Sequence, residues 1–113
     1  MQESCIFCRI VSGEFGTEFV VESDRVVAFD DIEPLAPVHV LVVPRQHVDA
    51  LRDLDDPEVA SEILAVARQV AEQRGLLETG YRLVTNDGEG AGQSVFHLHF
   101  HVIGGRDLGR MTS

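Results

Sequence analysis

The sequence lacks any apolar run approaching the ~20 residues that a membrane-spanning helix requires, so no such helix is expected and membrane partners are not. Cysteine is scarce. Cys5 and Cys8 are too few and too closely spaced to frame a disulfide-stapled secreted fold, and a reducing cytoplasm is the expected compartment. Met1-Gln2-Glu3-Ser4 shows neither the basic region nor the apolar core of a secretory signal. Positive charge is also short: nine basic residues face 19 acidic ones, a net charge of −10. That balance opposes wrapping DNA or RNA but leaves room for a small anion held locally. Without an internal repeat, low-complexity tract or linker, residues 1–113 are expected to form one domain with a single core.

What is present is concentrated in one stretch. Three of the five histidines, His97, His99 and His101, alternate with Leu98, Phe100 and Val102. Alternation is the period of an extended strand. On a strand the imidazoles share one face, about 7 Å apart, and the apolar residues line the other. Three groups that titrate near neutral pH are thereby gathered on one surface.

Elsewhere, Cys5–Val11 reads as one or two helical turns stopped by Gly13. Phe19–Glu22 and Arg25–Asp30 read as strands around a Ser23-Asp24 turn. Pro34 and Pro37 make 31–37 a loop. Val38–Val43 is a third strand, with Val38, Val40 and Val42 on one face and His39, Leu41 and Val43 on the other. A long helix starts at Asp56-Pro57, a favoured cap and first residue, carries the stripe Val59, Ile63, Val66, Ala67 and Val70, and ends at Gly75. Tyr81–Asn86 is a fourth strand and 87–92 a Gly-rich loop before the histidines. The expected class is α+β: a five-stranded, mainly antiparallel sheet with one long helix and a short N-terminal helix.

Three chemistries fit the histidines: a solvated strand face, a metal site, or nucleophilic catalysis by an imidazole. The neighbouring loop favours the last. Gly90, Ala91, Gly92, Gln93 and Ser94 could turn several N–H groups toward an anion, and small side chains let phosphate come close. Phosphate beside an imidazole nucleophile means nucleotidyl or phosphoryl transfer.

His97-Leu98-His99-Phe100-His101-Val102-Ile103 resembles the His-x-His-x-His-x-x signature of the histidine triad family. The resemblance extends from Cys5–Ile10 through Ala28–Ile32 and Pro37–His39 to Gly104–Arg106. His101 at the third position, with Gly92-Gln93-Ser94-Val95, is most similar to the histidine triad nucleotide-binding branch. That branch comprises purine nucleoside phosphoramidases and adenylate hydrolases that work as homodimers, and it implies a sheet extended across two copies. The resemblance implies His99 as nucleophile on the α-phosphorus, His101 on the phosphate, His97 as the remaining catalytic member of the triad, and His39 either orienting the triad or sitting as a satisfied core histidine. It implies Ser94, Gln93, Asn86 and Gly92 around the phosphate or leaving amine, and Asp31 on the ribose. Ile6, Phe7, Ile10, Phe29, Ile32 and Leu41 would line an apolar pocket for a purine nucleotide such as AMP or GMP. Asp30 would add negative charge near that pocket and tune the choice of base or ribose.

Catalysis in this family requires no metal, but some bacterial members hold a structural zinc. Here Cys5, Cys8, His47 and His97 would supply it; two reduced, partly buried cysteines or a redox pair are the other readings. Arg110–Ser113 stands where eukaryotic relatives carry a Trp-Pro-rich tail, which bears on leaving-group preference. Two rival functions remain beside the phosphoramidase: a dinucleoside polyphosphate hydrolase and a low-turnover nucleotide-binding regulatory module.

Overall fold

The structure, a computed structural model, describes residues 4–111. Met1–Glu3 of the N-terminal reading and Thr112–Ser113 of the tail lie outside the described residues. A short helix α1, Ile6–Val11, opens the chain, and the Cys5 Sγ caps it by accepting the Cys8 N–H at 3.3 Å. Gly13, at φ +87°, ends it in a left-handed conformation that favours glycine. Strands β1 (Val21–Glu22), β2 (Val26–Asp30) and β3 (Val38–Pro44) follow. Helix α2, Pro57–Gln73, then precedes β4 (Tyr81–Val84) and β5 (Phe100–Gly104).

All five strands form one antiparallel sheet in the order β1-β2-β3-β5-β4. Period-two alternation gives that sheet two different faces. One packs Val26, Ala28, Val40, Val42, Leu98 and Val102 against Val59, Ile63, Val66, Ala67 and Val70 of α2. The other packs Val27, Phe29, Leu41 and Val43 against Cys5, Phe7 and Cys8 of the α1 region. Each fully buried large aliphatic side chain contributes roughly 1.5–3 kcal/mol. α2 begins where the Asp56 carboxylate accepts the N–H groups of Glu58 and Val59 at 2.9 and 3.4 Å. Such a cap contributes about 1 kcal/mol. No helix among the described residues is long and apolar enough to cross a membrane.

Several elements are shorter than the sequence pattern predicts. Phe19 and Val20 lie ahead of β1, although the Val20 N–H reaches the Ala28 carbonyl at 2.7 Å. Thr85 and Asn86 lie beyond β4, and Pro44 closes β3 as a paired residue opposite Val26. The Gly-rich loop contains one turn of 3-10 helix, Glu89–Ala91. The largest departure concerns the histidines, since β5 starts only at Phe100. The reason is where the preceding backbone groups go. The Leu98 N–H bonds the Val48 carbonyl at 2.6 Å, and the His99 carbonyl accepts from Thr85 Oγ1 at 2.7 Å. Alternation survives without the ladder, because Leu98 still enters the α2 core while His97 and His99 turn toward Phe7.

Candidate active site and metal cluster

His99 lies at the junction between the Gly-rich loop and β5. Its Nδ1 is 2.8 Å from the His97 carbonyl oxygen. A carbonyl only accepts, so Nδ1 carries the proton and Nε2 holds the free lone pair. Phe7 meets the ring edge-on at 5.0 Å, leaving it 7% exposed. Burial pushes the pKa of His99 below the usual histidine value, while the His97 carbonyl and the Asp31 charge pull it partly back.

The His101 ring centre is 5.1 Å from that of His99, and its proton is placed by a relay. The Leu35 N–H donates to His39 Nδ1 at 3.0 Å, so His39 is protonated on Nε2. That N–H donates to His101 Nδ1 at 2.9 Å, with an Asp31 carboxylate oxygen at 3.4 Å. His101 must then carry its own proton on Nε2, a buried atom with no hydrogen-bond partner among the described residues. A buried unpaired donor calls for an explanation, and an anionic ligand supplies one. Burial lowers the His101 pKa to about 4, helped by repulsion from His99 and His39 and opposed by Asp31. Asp31, His39 and His101 converge closely enough to hold an ion. Both His39 nitrogens are already engaged, however, which favours the relay over ligation.

His97 faces the other way. Its Nε2 donates to the Pro44 carbonyl at 2.8 Å, leaving an Nδ1 lone pair 3.3 Å from Cys5 Sγ and 3.5 Å from Cys8 Sγ. His47 mirrors it, with Nε2 on the Asp49 carboxylate at 2.6 Å and Nδ1 3.4 Å from Cys8 Sγ. The four donor atoms lie within 4.8 Å of one another and could hold a metal ion. The edge of a zinc tetrahedron between sulfur and nitrogen is about 3.5 Å, from bonds of about 2.3 and 2.0 Å. The sulfur–nitrogen separations match it. Burial raises the Cys5 thiol pKa. His47 is raised because Asp49, and then Cys8, outweigh the lowering effect of burial. His97 is lowered, chiefly by burial. Its ring belongs to this cluster, while its carbonyl accepts from the His99 ring.

The expected nucleotide pocket divides into a floor and a rim. Phe7, Phe29 and Leu41 are buried, with Phe7 and Phe29 edge-to-face at 5.7 Å. Ile10 is half-buried, Ile6 is exposed, and Ile32 is 93% exposed. Asp31 accepts the Glu33 N–H at 2.9 Å with the oxygen not turned toward His39. Gly92 adopts φ +90° and, like Ser94, is exposed, whereas Asn86 is half-buried.

Two assignments change. Gln93, expected on the phosphate, is buried, and its amide group is spent on Gly88 N–H, the Asp49 carbonyl and the Val95 carbonyl. Asp30, expected near the purine pocket, shares the α2 side of β2 with Val26 and Ala28. There it makes a two-pronged ion pair with Arg74 at 2.9 and 3.0 Å, which offsets its charge. Sequence reasoning missed Asp49 and Thr85. Asp49 has a signal, an acid two residues from a candidate ligand; Thr85 has none. Cavity size does not locate the chemistry, since an 840 Å³ cleft is lined by Arg74, Arg82 and Arg106 rather than by the triad.

With this geometry in place, the HIT domain family matches residues 12–108. The chain belongs to the HIT domain family. The HIT match includes His39, His47 and the whole triad, and leaves Cys5 and Cys8 outside it. Among HIT relatives, the purine nucleoside phosphoramidase of Escherichia coli (strain K12) is 39% identical over 115 aligned positions, covering 100% of this chain and 97% of that protein. A HIT family hydrolase from Clostridium thermocellum superposes with a TM-score of 0.93 at 43% identity, over 97% of each chain. A histidine triad protein from Clostridium difficile gives 0.92 at 41% identity, over 99% of each.

Proposed function

We propose that this HIT-family hydrolase cleaves purine nucleoside 5′-phosphoramidates or acyl-adenylates through a nucleotidyl-histidine on His99. The observation that carries the reading is the pair of opposite proton states on adjacent rings. His99 presents an Nε2 lone pair, and His101 presents a buried, unpaired Nε2–H. His99 Nε2 attacks the α-phosphorus, a P–N bond to the imidazole forms, and the bond to the amine or acyl group breaks. The His101 N–H donates to a phosphoryl oxygen where negative charge develops. Water then attacks phosphorus, the imidazole leaves, and a nucleoside monophosphate is released. Ser94, Gly92 and Asn86 stand around the phosphate, Asp31 at the ribose, and Phe7, Phe29 and Leu41 under the base. Steady AMP release from adenosine 5′-phosphoramidate tests the reading; binding without release would favour the regulatory module. Faster turnover of a dinucleoside polyphosphate on the same preparation would favour that rival hydrolase.

The donor set of Cys5, Cys8, His47 and His97 supports zinc, which would be structural and would fasten α1 to the end of β3. The same two cysteines, few and closely spaced, support a reducing cytoplasm as the compartment. β4 is an open sheet edge, and Leu64 of α2 beside it is exposed, which supports pairing with a second copy.

A further inference from the structure

We infer that Gln93 is a positioning residue that transmits the state of the Cys5–Cys8–His47–His97 cluster to the phosphate loop. The inference rests on reading 88–94 as that loop. The path is continuous. His47 Nδ1 faces the cluster, and its Nε2–H reaches the Asp49 carboxylate at 2.6 Å. The Asp49 carbonyl accepts one Gln93 amide hydrogen at 2.7 Å, and the Val95 carbonyl accepts from the same nitrogen at 3.0 Å. Gln93 Oε1 accepts the Gly88 N–H at 2.8 Å, and the Gln93 backbone N–H returns to the Gly88 carbonyl at 3.1 Å. Loop residues 88–93 are thereby closed into a ring by one side chain.

Two features make this amide a brace. Gln93 is 5% exposed, so surrendering any of these bonds to a phosphate would strand a buried polar group. Gly88 itself sits at φ +92°, a conformation that favours glycine, with Arg52 Nη2 2.9 Å from where a Cβ would lie. Arg52 in turn holds Asp87 through its backbone N–H and Nε at 2.8 and 2.7 Å. Segment 47–52 therefore grips the loop at both ends while His47 anchors it to the cluster. A cation on Nδ1 of a histidine fixes the ring and strengthens the bond its other N–H makes. Through His47 that strengthening passes to Asp49 and Gln93.

The test is amide hydrogen exchange on the full-length protein without nucleotide, with zinc chloride or with a chelator, reading Gly88 against amides in α2. Zinc should slow Gly88 by about tenfold, the effect of one hydrogen bond, and leave α2 unchanged. Asp49→Ala removes the acceptor of His47 but keeps the carbonyl that holds Gln93. It should abolish the Gly88 response while zinc still binds, roughly 10–100-fold more weakly; Asp49→Asn should restore part of the response. Gln93→Glu, which keeps an acceptor but loses both donors, should also lose it. Failure of zinc to bind stoichiometrically, an unchanged Gly88, equal slowing across α2, or a full response in Asp49→Ala overturns the inference. Loss of the phosphoramidase reading shows separately, as absent AMP release from a protein whose exchange still responds to zinc.

Discussion

His99 and His101 project side by side with opposite tautomers, the first stripped of its Nε2 proton by the His97 carbonyl and the second given one through His39. Chemically identical rings 5.1 Å apart thus present a bare lone pair on one and an N–H on the other. Neither state is set by the ring itself. Each follows from one hydrogen-bond partner on the opposite nitrogen.

Removing the lone pair should therefore stop turnover without removing the nucleotide. His99→Ala is expected to lower kcat for adenosine 5′-phosphoramidate by on the order of 10⁴-fold or more. AMP affinity by titration calorimetry should change little. Near-normal AMP release from the variant would refute the assignment.

The depressed pKa of His101 makes stability depend on pH in a defined window. The folded value is about 4 and the unfolded value about 6.5, so between them the unfolded chain binds the extra proton. This contribution is neutral above about pH 6.5, increasingly unfavourable as pH falls, and constant again below about 4. Allowing for partial exposure, urea unfolding should show His101→Gln losing roughly 2 kcal/mol less than the wild type across that window. Parallel curves for the two proteins would count against a depressed His101 pKa in the folded state. In the wild type, the His101 ring resonances should titrate near pH 4.

The cluster should couple metal to folding. At free zinc 100 times the Kd, the native state should gain about 2.7 kcal/mol, read as a rise in the thermal midpoint over chelated protein. Cys8→Ala removes one of the four donors and should abolish most of that rise. An equal rise in the variant would place the ion elsewhere.

The open edge of β4 gives a prediction for assembly. Leu83→Arg places a charge among Tyr81, Leu64 and Ala67, which together line one shallow cleft. Analytical ultracentrifugation should find the wild type dimeric and the variant shifted toward monomer. Identical sedimentation of the two would remove this edge as the contact.

The packing of α2 offers a check on the fold itself. Ile63 is 1% exposed between β-sheet and helix, so Ile63→Ala should cost about 2–5 kcal/mol in chemical unfolding. Leu64, half-exposed one position on, should cost far less as Ala in the monomer.

Local chemistry determined much of this from sequence alone. Asp56-Pro57 and Gly75 bound α2 because capping and left-handed geometry are properties of single residues. Alternation assigned Leu98, Phe100 and Val102 to one side and the histidines to the other, because side-chain direction follows backbone period even without strand pairing. The tertiary structure decided what each polar atom does. Which nitrogen of His99, His101 or His97 holds a proton depends on His97, His39 and Pro44 carbonyl or ring partners, two of them more than fifty residues away. The start of β5, the bracing of Gln93 on Asp49 and the pairing of Asp30 with Arg74 are likewise long-range hydrogen bonds. Periodicity carries no information about such bonds, since they depend on which atoms the folded chain brings within reach.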